Sequence, residues 1–166
     1  PRRSSDLFTY TSTDGDGDTS SAELVIIITD APTTLDLPTA GEAGTEVAED
    51  GLAGPPAGSN AASDSELAQG TFNFTAPDGP AIITIGGVTV SAVGQTITGS
   101  FGTITIDAID TGSVTYTYEL TTNTDGNNTS DDFVVRVTDQ DGDFSEDTLS
   151  IAIIDDVPTA NADVDS

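Results

Sequence analysis

Asp139, Asp141 and Asp143 stand at i, i+2 and i+4 in the stretch Thr138-Asp-Gln-Asp-Gly-Asp-Phe144. In an extended segment such positions share one side, and in a turn Gly142 can take the positive φ that lets three carboxylates curl round a common centre. The chemistry open to that group is the binding of a hard cation. Ca²⁺ takes six to eight oxygens, and carboxylates, carbonyls and water supply them. Glu146 and Asp147 lie within reach of the same turn. Residues 138–158 carry seven carboxylates and no basic residue. Two carboxylates about 4 Å apart repel by roughly 1 kcal/mol in water and roughly 4 kcal/mol at a protein surface, so the cluster calls for a counter-charge. The spacing is not that of an EF-hand, because Gly falls at position 4 rather than 6 and no Glu falls at position 12. The bland alternative is a polar Asp-Gly hairpin turn that needs no ion. Against it stands a second copy, Asp14, Asp16, Gly17 and Asp18, in a matching place.

A second acidic group marks the ends of two apolar runs. Asp30-Ala31-Pro32 and Asp155-Asp156-Val157-Pro158 each close a run with Asp and stiffen the exit with Pro. Asp36, Glu42, Glu46, Glu49 and Asp50 follow the first of them. The expectation is that Asp30 shares an ion with the Glu49–Asp50 region, and that Asp155 and Asp156 do the same toward a following domain. The alternative is a solvated acidic linker.

These residues sit in an internal repeat. The segment from Asp6 through Thr33 aligns with that from Asp131 through Thr159 at an offset of 125 residues, which grows to 126 at the proline. Phe8 matches Phe133, and Leu24, Ile26 and Ile28 match Leu149, Ile151 and Ile153. That offset is the length of a domain. Residues 6–34 therefore read as the C-terminal hairpin of one repeat, 35–158 as a complete repeat, and 159–166 as a linker to the next. Residues 1–5 are compositionally foreign to the rest and stand outside this fold reading.

Within 35–158, eight short segments alternate at period 2 and are rich in Val, Ile, Thr, Phe and Tyr: 70–76, 81–85, 87–92, 95–99, 102–108, 113–120, 132–139 and 148–154. Gly, Asp and Pro clusters punctuate them. The pattern predicts an all-β, antiparallel β-sandwich. Residues 49–70 form a long Gly/Ala/Pro/Ser loop, with room for one short helix over Ala62–Leu67.

Composition narrows the function. Three Lys or Arg against 29 Asp or Glu give a net charge of −26, which argues against nucleic acid and anionic membrane surfaces and favours cations. His and Cys are absent, so the usual general base, thiolate nucleophile and zinc ligands are missing and no enzyme is expected. No apolar stretch is long enough for a membrane span. Thr103, Thr105, Thr115 and Thr117 could present hydroxyls to sugar or ice, but Thr alternation is ordinary in strands.

The segments Val47–Gly54, Gly102–Leu120 and Ser130–Asp163, with their D-x-D-G-D and I-x-D-D-x-P-x-A patterns, resemble the tandem repeats of large bacterial RTX adhesins, of the roughly 143-residue and VCBS-like kinds. That resemblance implies an Ig-like or cadherin-like extender domain, exported by type I secretion to the cell surface and rigidified by Ca²⁺. It implies Asp139, Asp141, Asp143, Asp155 and Asp156, with Asp14, Asp16, Asp18 and Asp30, as calcium ligands. Neighbouring repeats of the same chain would be its partners. A ligand-binding module on the same scaffold, or a filament subunit in which identical chains add strands to one another, are the alternatives.

Overall fold

The computed structural model describes residues 3–126 and 129–157. The chain separates into two compact units, with the division between Pro32 and Thr33. The first is a ribbon of β1 (Arg3–Thr13) and β2 (Thr19–Thr29), paired antiparallel from Arg3↔Thr29 to Thr13↔Thr19. Residues 3–5, set aside on composition, belong to this ladder, because backbone pairing with Ile27, Ile28 and Thr29 asks nothing of their side chains.

Among the described residues the second unit holds ten strands: β3 (Thr34–Asp36), β4 (Glu46–Ala48), β5 (Leu67–Thr75), β6 (Ile82–Ile85), β7 (Val88–Thr89), β8 (Thr96–Thr98), β9 (Gly102–Asp110), β10 (Ser113–Leu120), β11 (Thr129–Thr138) and β12 (Phe144–Ile154). They form two five-stranded sheets, β3-β5-β10-β9-β8 and β4-β12-β11-β6-β7. All pairings are antiparallel except β4 with β12. Each of the eight expected segments contains a strand. β3 and β4, three residues each, are too short to show a period.

Alternation explains the packing. In β10, Val114, Tyr116, Tyr118 and Leu120 point inward and are fully or almost fully buried, while Thr115 and Thr117 face out. Phe72, Ile104 and Ile106 of the same sheet meet Ile85, Phe133, Val135, Leu149 and Ile151 of the other in one core. The short helix expected over Ala62–Leu67 is absent; the segment is a run of turns leading into β5. Ser63 and Ser65 share a side-chain hydrogen bond, and the Ser65 hydroxyl also bonds the Asp50 carboxylate, so local side chains compete with helical pairing. Glu49–Gly51 forms a single 3-10 turn.

The strand β12 sets the length of this unit. Thr33, its first residue, donates its hydroxyl to Asp139 in the turn between β11 and β12. The chain leaves beyond Ile154, at the far end of β12. The ten steps between the first and last of its eleven residues, at about 3.3 Å each, put the incoming and outgoing ends about 33 Å apart.

Candidate metal centre

The turn between β11 and β12 is held by Asp139. Its Oδ1 accepts the backbone N–H groups of Gly142 at 3.1 Å and Asp143 at 2.9 Å, and its Oδ2 accepts the Thr33 hydroxyl at 2.6 Å. The Asp139 N–H donates in turn to the Asp143 carbonyl at 2.9 Å. Gly142 adopts φ +100°, a conformation that a β-carbon would strain. Asp139 is only 3 % exposed. Its carboxyl is held below the ordinary carboxylate range, first by the Thr33 hydroxyl and then, among others, by the amides of Asp143 and Gly142, against a burial that works the other way.

The turn between β1 and β2 repeats this geometry. Asp14 Oδ1 accepts the N–H groups of Gly17 at 3.1 Å and Asp18 at 2.9 Å, the Asp14 N–H donates to the Asp18 carbonyl at 3.0 Å, and Gly17 has φ +101°. The Asp14 carboxyl is likewise held low, by Asp16 first and by the backbone amides after it. Carboxylate oxygens of Asp14, Asp16 and Asp18 lie within 4.8 Å of one another, as do those of Asp141 and Asp143. Oxygens bound to one Ca²⁺ at 2.3–2.6 Å can be no more than about 5 Å apart, so these groups are spaced to share a cation.

The first aspartate of each motif spends an oxygen on closing the turn, as the bland reading of an Asp-Gly turn requires. In the first copy Asp14 also converges with Asp16 and Asp18, whereas in the second the converging oxygens are those of Asp141 and Asp143. Arg136 pairs with Glu146 at 3.7 Å and lies over the Phe144 ring at 3.5 Å.

The exit aspartates fall elsewhere. Asp156 accepts the Ser59 N–H at 2.6 Å and the Ser59 hydroxyl at 2.7 Å. With Asp155 and Glu49 it lines a cavity of about 210 Å³. Glu49 is buried and accepts both the N–H and the hydroxyl of Thr124 through Oε1. Glu42 accepts the N–H and hydroxyl of Thr39, bracing its own loop. Glu49 and Asp50 follow β4, which runs parallel to the last residues of β12 and so brings them to the outgoing end of the unit. Thr33 marks the incoming end. Asp30 belongs to the first unit, Glu49 and Asp50 to the second.

A buried carboxylate escaped the sequence reading. Asp131, 1 % exposed, accepts the N–H of Ser100 at 2.9 Å, of Phe101 at 3.0 Å and of Gly102 at 3.1 Å, together with the Tyr118 hydroxyl at 2.9 Å. It locks the β8–β9 turn to β11. Gly99 and Gly102 leave room for it, since a β-carbon at Gly99 would collide with Asp131 and one at Gly102 with Tyr118. The signal lay in the alternation, which places Asp131 on the same face as Phe133 and Val135.

On the outer face of the β8-β9-β10-β5 sheet, Thr71 and Thr115 share a hydrogen bond of 2.9 Å and Thr117 donates to Asp107 at 2.7 Å. Such cross-strand pairs stabilise a sheet without any ligand.

No protein-family model and no curated protein matches the chain. Among the described residues, no helix is long and apolar enough to cross a membrane. Fold and site define an antiparallel β-sandwich with acidic clusters that could hold a metal ion.

Proposed function

We propose that the chain is an extender segment of a bacterial RTX-type surface adhesin, an Ig-like or cadherin-like tandem repeat stiffened by Ca²⁺ outside the cell, and not an enzyme. The observation that carries this reading is the double occurrence of one turn geometry. In both copies the first aspartate closes the turn and the oxygens of the two that follow lie close together, joined in the first copy by those of Asp14, in a chain of net charge −26. The long axis of the second unit adds support, because a domain entered at one end and left at the other transmits length along a chain. In this reading Asp16 and Asp18, and Asp141 and Asp143, are the principal calcium ligands. Asp30, Asp155 and Asp156 are candidates for further oxygens where units join.

The test is metal content, with melting curves in millimolar Ca²⁺ and in chelator. At free calcium 100 times Kd, each site contributes about 2.7 kcal/mol, and Tm should rise by several degrees. Asp141→Asn with Asp143→Asn should remove the response of the second turn to calcium. Asp139→Asn should lower Tm in chelator as well, because it weakens the turn itself. Identical melting of the wild-type protein in calcium and in chelator would refute the reading.

A further inference from the structure

The two sheets of the second unit part at one end. Between the loop 76–81 and the turn from β9 to β10 lies a cavity of about 450 Å³, within the range of small-molecule sites, about 300–1,000 Å³. Its floor is the apolar interior, with Phe74 from one sheet and Ile83 from the other. Pro77, Pro80 and Ala81 form one wall and Ile109 the opposite one. Ile109 is there because of a break in register. In β9, Ile104 and Ile106 point inward and Thr103 and Thr105 outward, so plain alternation would turn Ile109 outward. The ladder skips Asp107, however, since Thr115 pairs with Ala108 and Tyr116 with Ile106. This bulge reverses the faces beyond it and sets Ile109 opposite Val114, which is fully buried. What Ile109 meets on that side is the cavity, and it stays 38 % exposed.

The walls are fixed before any ligand arrives. The Phe74 N–H donates to the Gly112 carbonyl at 2.9 Å, tying β5 to the β9–β10 turn. Gly79 lies so close to Gln140 that a β-carbon would collide with it, which seats the proline loop against the turn between β11 and β12. Filling such a recess removes apolar surface from water. Charge then selects among apolar occupants. Among the described residues that line the cavity, Asp110 is the one ionisable group, and Thr75 and Thr111 add hydroxyls. The Asp110 side chain is exposed, and its carboxylate makes no hydrogen bond or ion pair with another described residue. A chain of net charge −26 repels apolar anions such as fatty acids and gathers cations.

We propose that this cavity binds a small organic ammonium ion, with its apolar body between Phe74, Ile83 and Ile109 and its charge at the Asp110 carboxylate. The site lies wholly within the second unit and uses none of the aspartates of the two Asp-Gly turns, so it goes beyond the calcium reading and does not rest on it.

The test is an amide NMR titration of the full chain in millimolar calcium, with three probes of one shape: phenethylamine, which is a cation at neutral pH, phenethyl alcohol, which is neutral, and hydrocinnamate, an anion. Phenethylamine should shift the amides of residues 74–76, 81–83 and 109–112 saturably. Phenethyl alcohol should bind the same residues about threefold to fivefold more weakly, the ratio an exposed ion pair supplies, and hydrocinnamate should not bind. Asp110→Asn should bring the amine down to the affinity of the alcohol. Ala81→Phe fills the recess and should abolish binding of both, while the amides of β11 and β12 report that the fold is intact. The proposal is overturned if phenethylamine gives no saturable shift at these residues, if its shifts fall only on the turns at 14–18 and 139–143, if hydrocinnamate binds as well as the amine, or if Asp110→Asn leaves the preference for the amine unmoved.

Discussion

Raising the pH should unfold the second unit through two tyrosines. Tyr116 and Tyr118 are fully buried. Burial lifts both phenols well above their ordinary value, and for Tyr118 the hydrogen bond to Asp131 and the charge of Asp131 lift it further. The folded pKa exceeds the unfolded one, so the stability contributed by each neutral phenol is complete below pH 10 and is lost as pH rises toward the folded value. In that window each phenol removes about 1.4 kcal/mol per pH unit. Two remove about 2.7 kcal/mol per unit, or about 4 kcal/mol by pH 11.5, against a total of roughly 5–15 kcal/mol for a domain. The chain has no lysine to titrate in the same range. Tyrosinate absorbance and far-UV circular dichroism, followed together against pH in Tyr10→Phe, should change in one transition. Tyr118→Phe keeps the edge-on packing against Phe133, whose ring centroid is 6.1 Å away, and should halve the dependence of stability on pH. Ionisation of both phenols near pH 10 with the dichroism unchanged would refute the reasoning.

Three further outcomes follow from the same geometry. Asp131→Ala strands three backbone amides and the Tyr118 hydroxyl; at about 1–3 kcal/mol for a buried donor left unsatisfied, and with some relaxation of the turn, the loss should be on the order of 4 kcal/mol by urea unfolding. The Asp139 carboxyl titrates below its unfolded value, so its stabilisation is present above about pH 4 and lost as pH falls through the folded pKa; Thr33→Val should lower Tm at neutral pH by a few degrees and narrow the Tm difference between neutral and acid solution. Glu49→Ala deprives the Thr124 N–H and hydroxyl of their acceptor, and should cost about 1–3 kcal/mol in the same urea experiment.

Much of this architecture is written in local pattern. The period-2 runs in β9, β10, β11 and β12 carry their own inward and outward faces, because a pleated strand alternates its side chains whatever it packs against. The offset repeat and its Asp-Gly turns are equally local, since a glycine at positive φ and an aspartate reaching amides three and four residues ahead need nothing beyond the turn. Other features depend on which strands become neighbours. β4 pairs parallel to β12 across about a hundred residues of chain, and this carries Glu49 to the far end of β12, where it lines a cavity with Asp155 and Asp156. Asp131 reads as one more acid in an acidic chain until the β8–β9 turn delivers three amides to it. Thr33 shows no special mark in the sequence, yet its hydroxyl holds Asp139 from 106 residues away. Side-chain type and spacing decide what a turn can bind, but partners brought together by long-range pairing decide which carboxylates hold the fold.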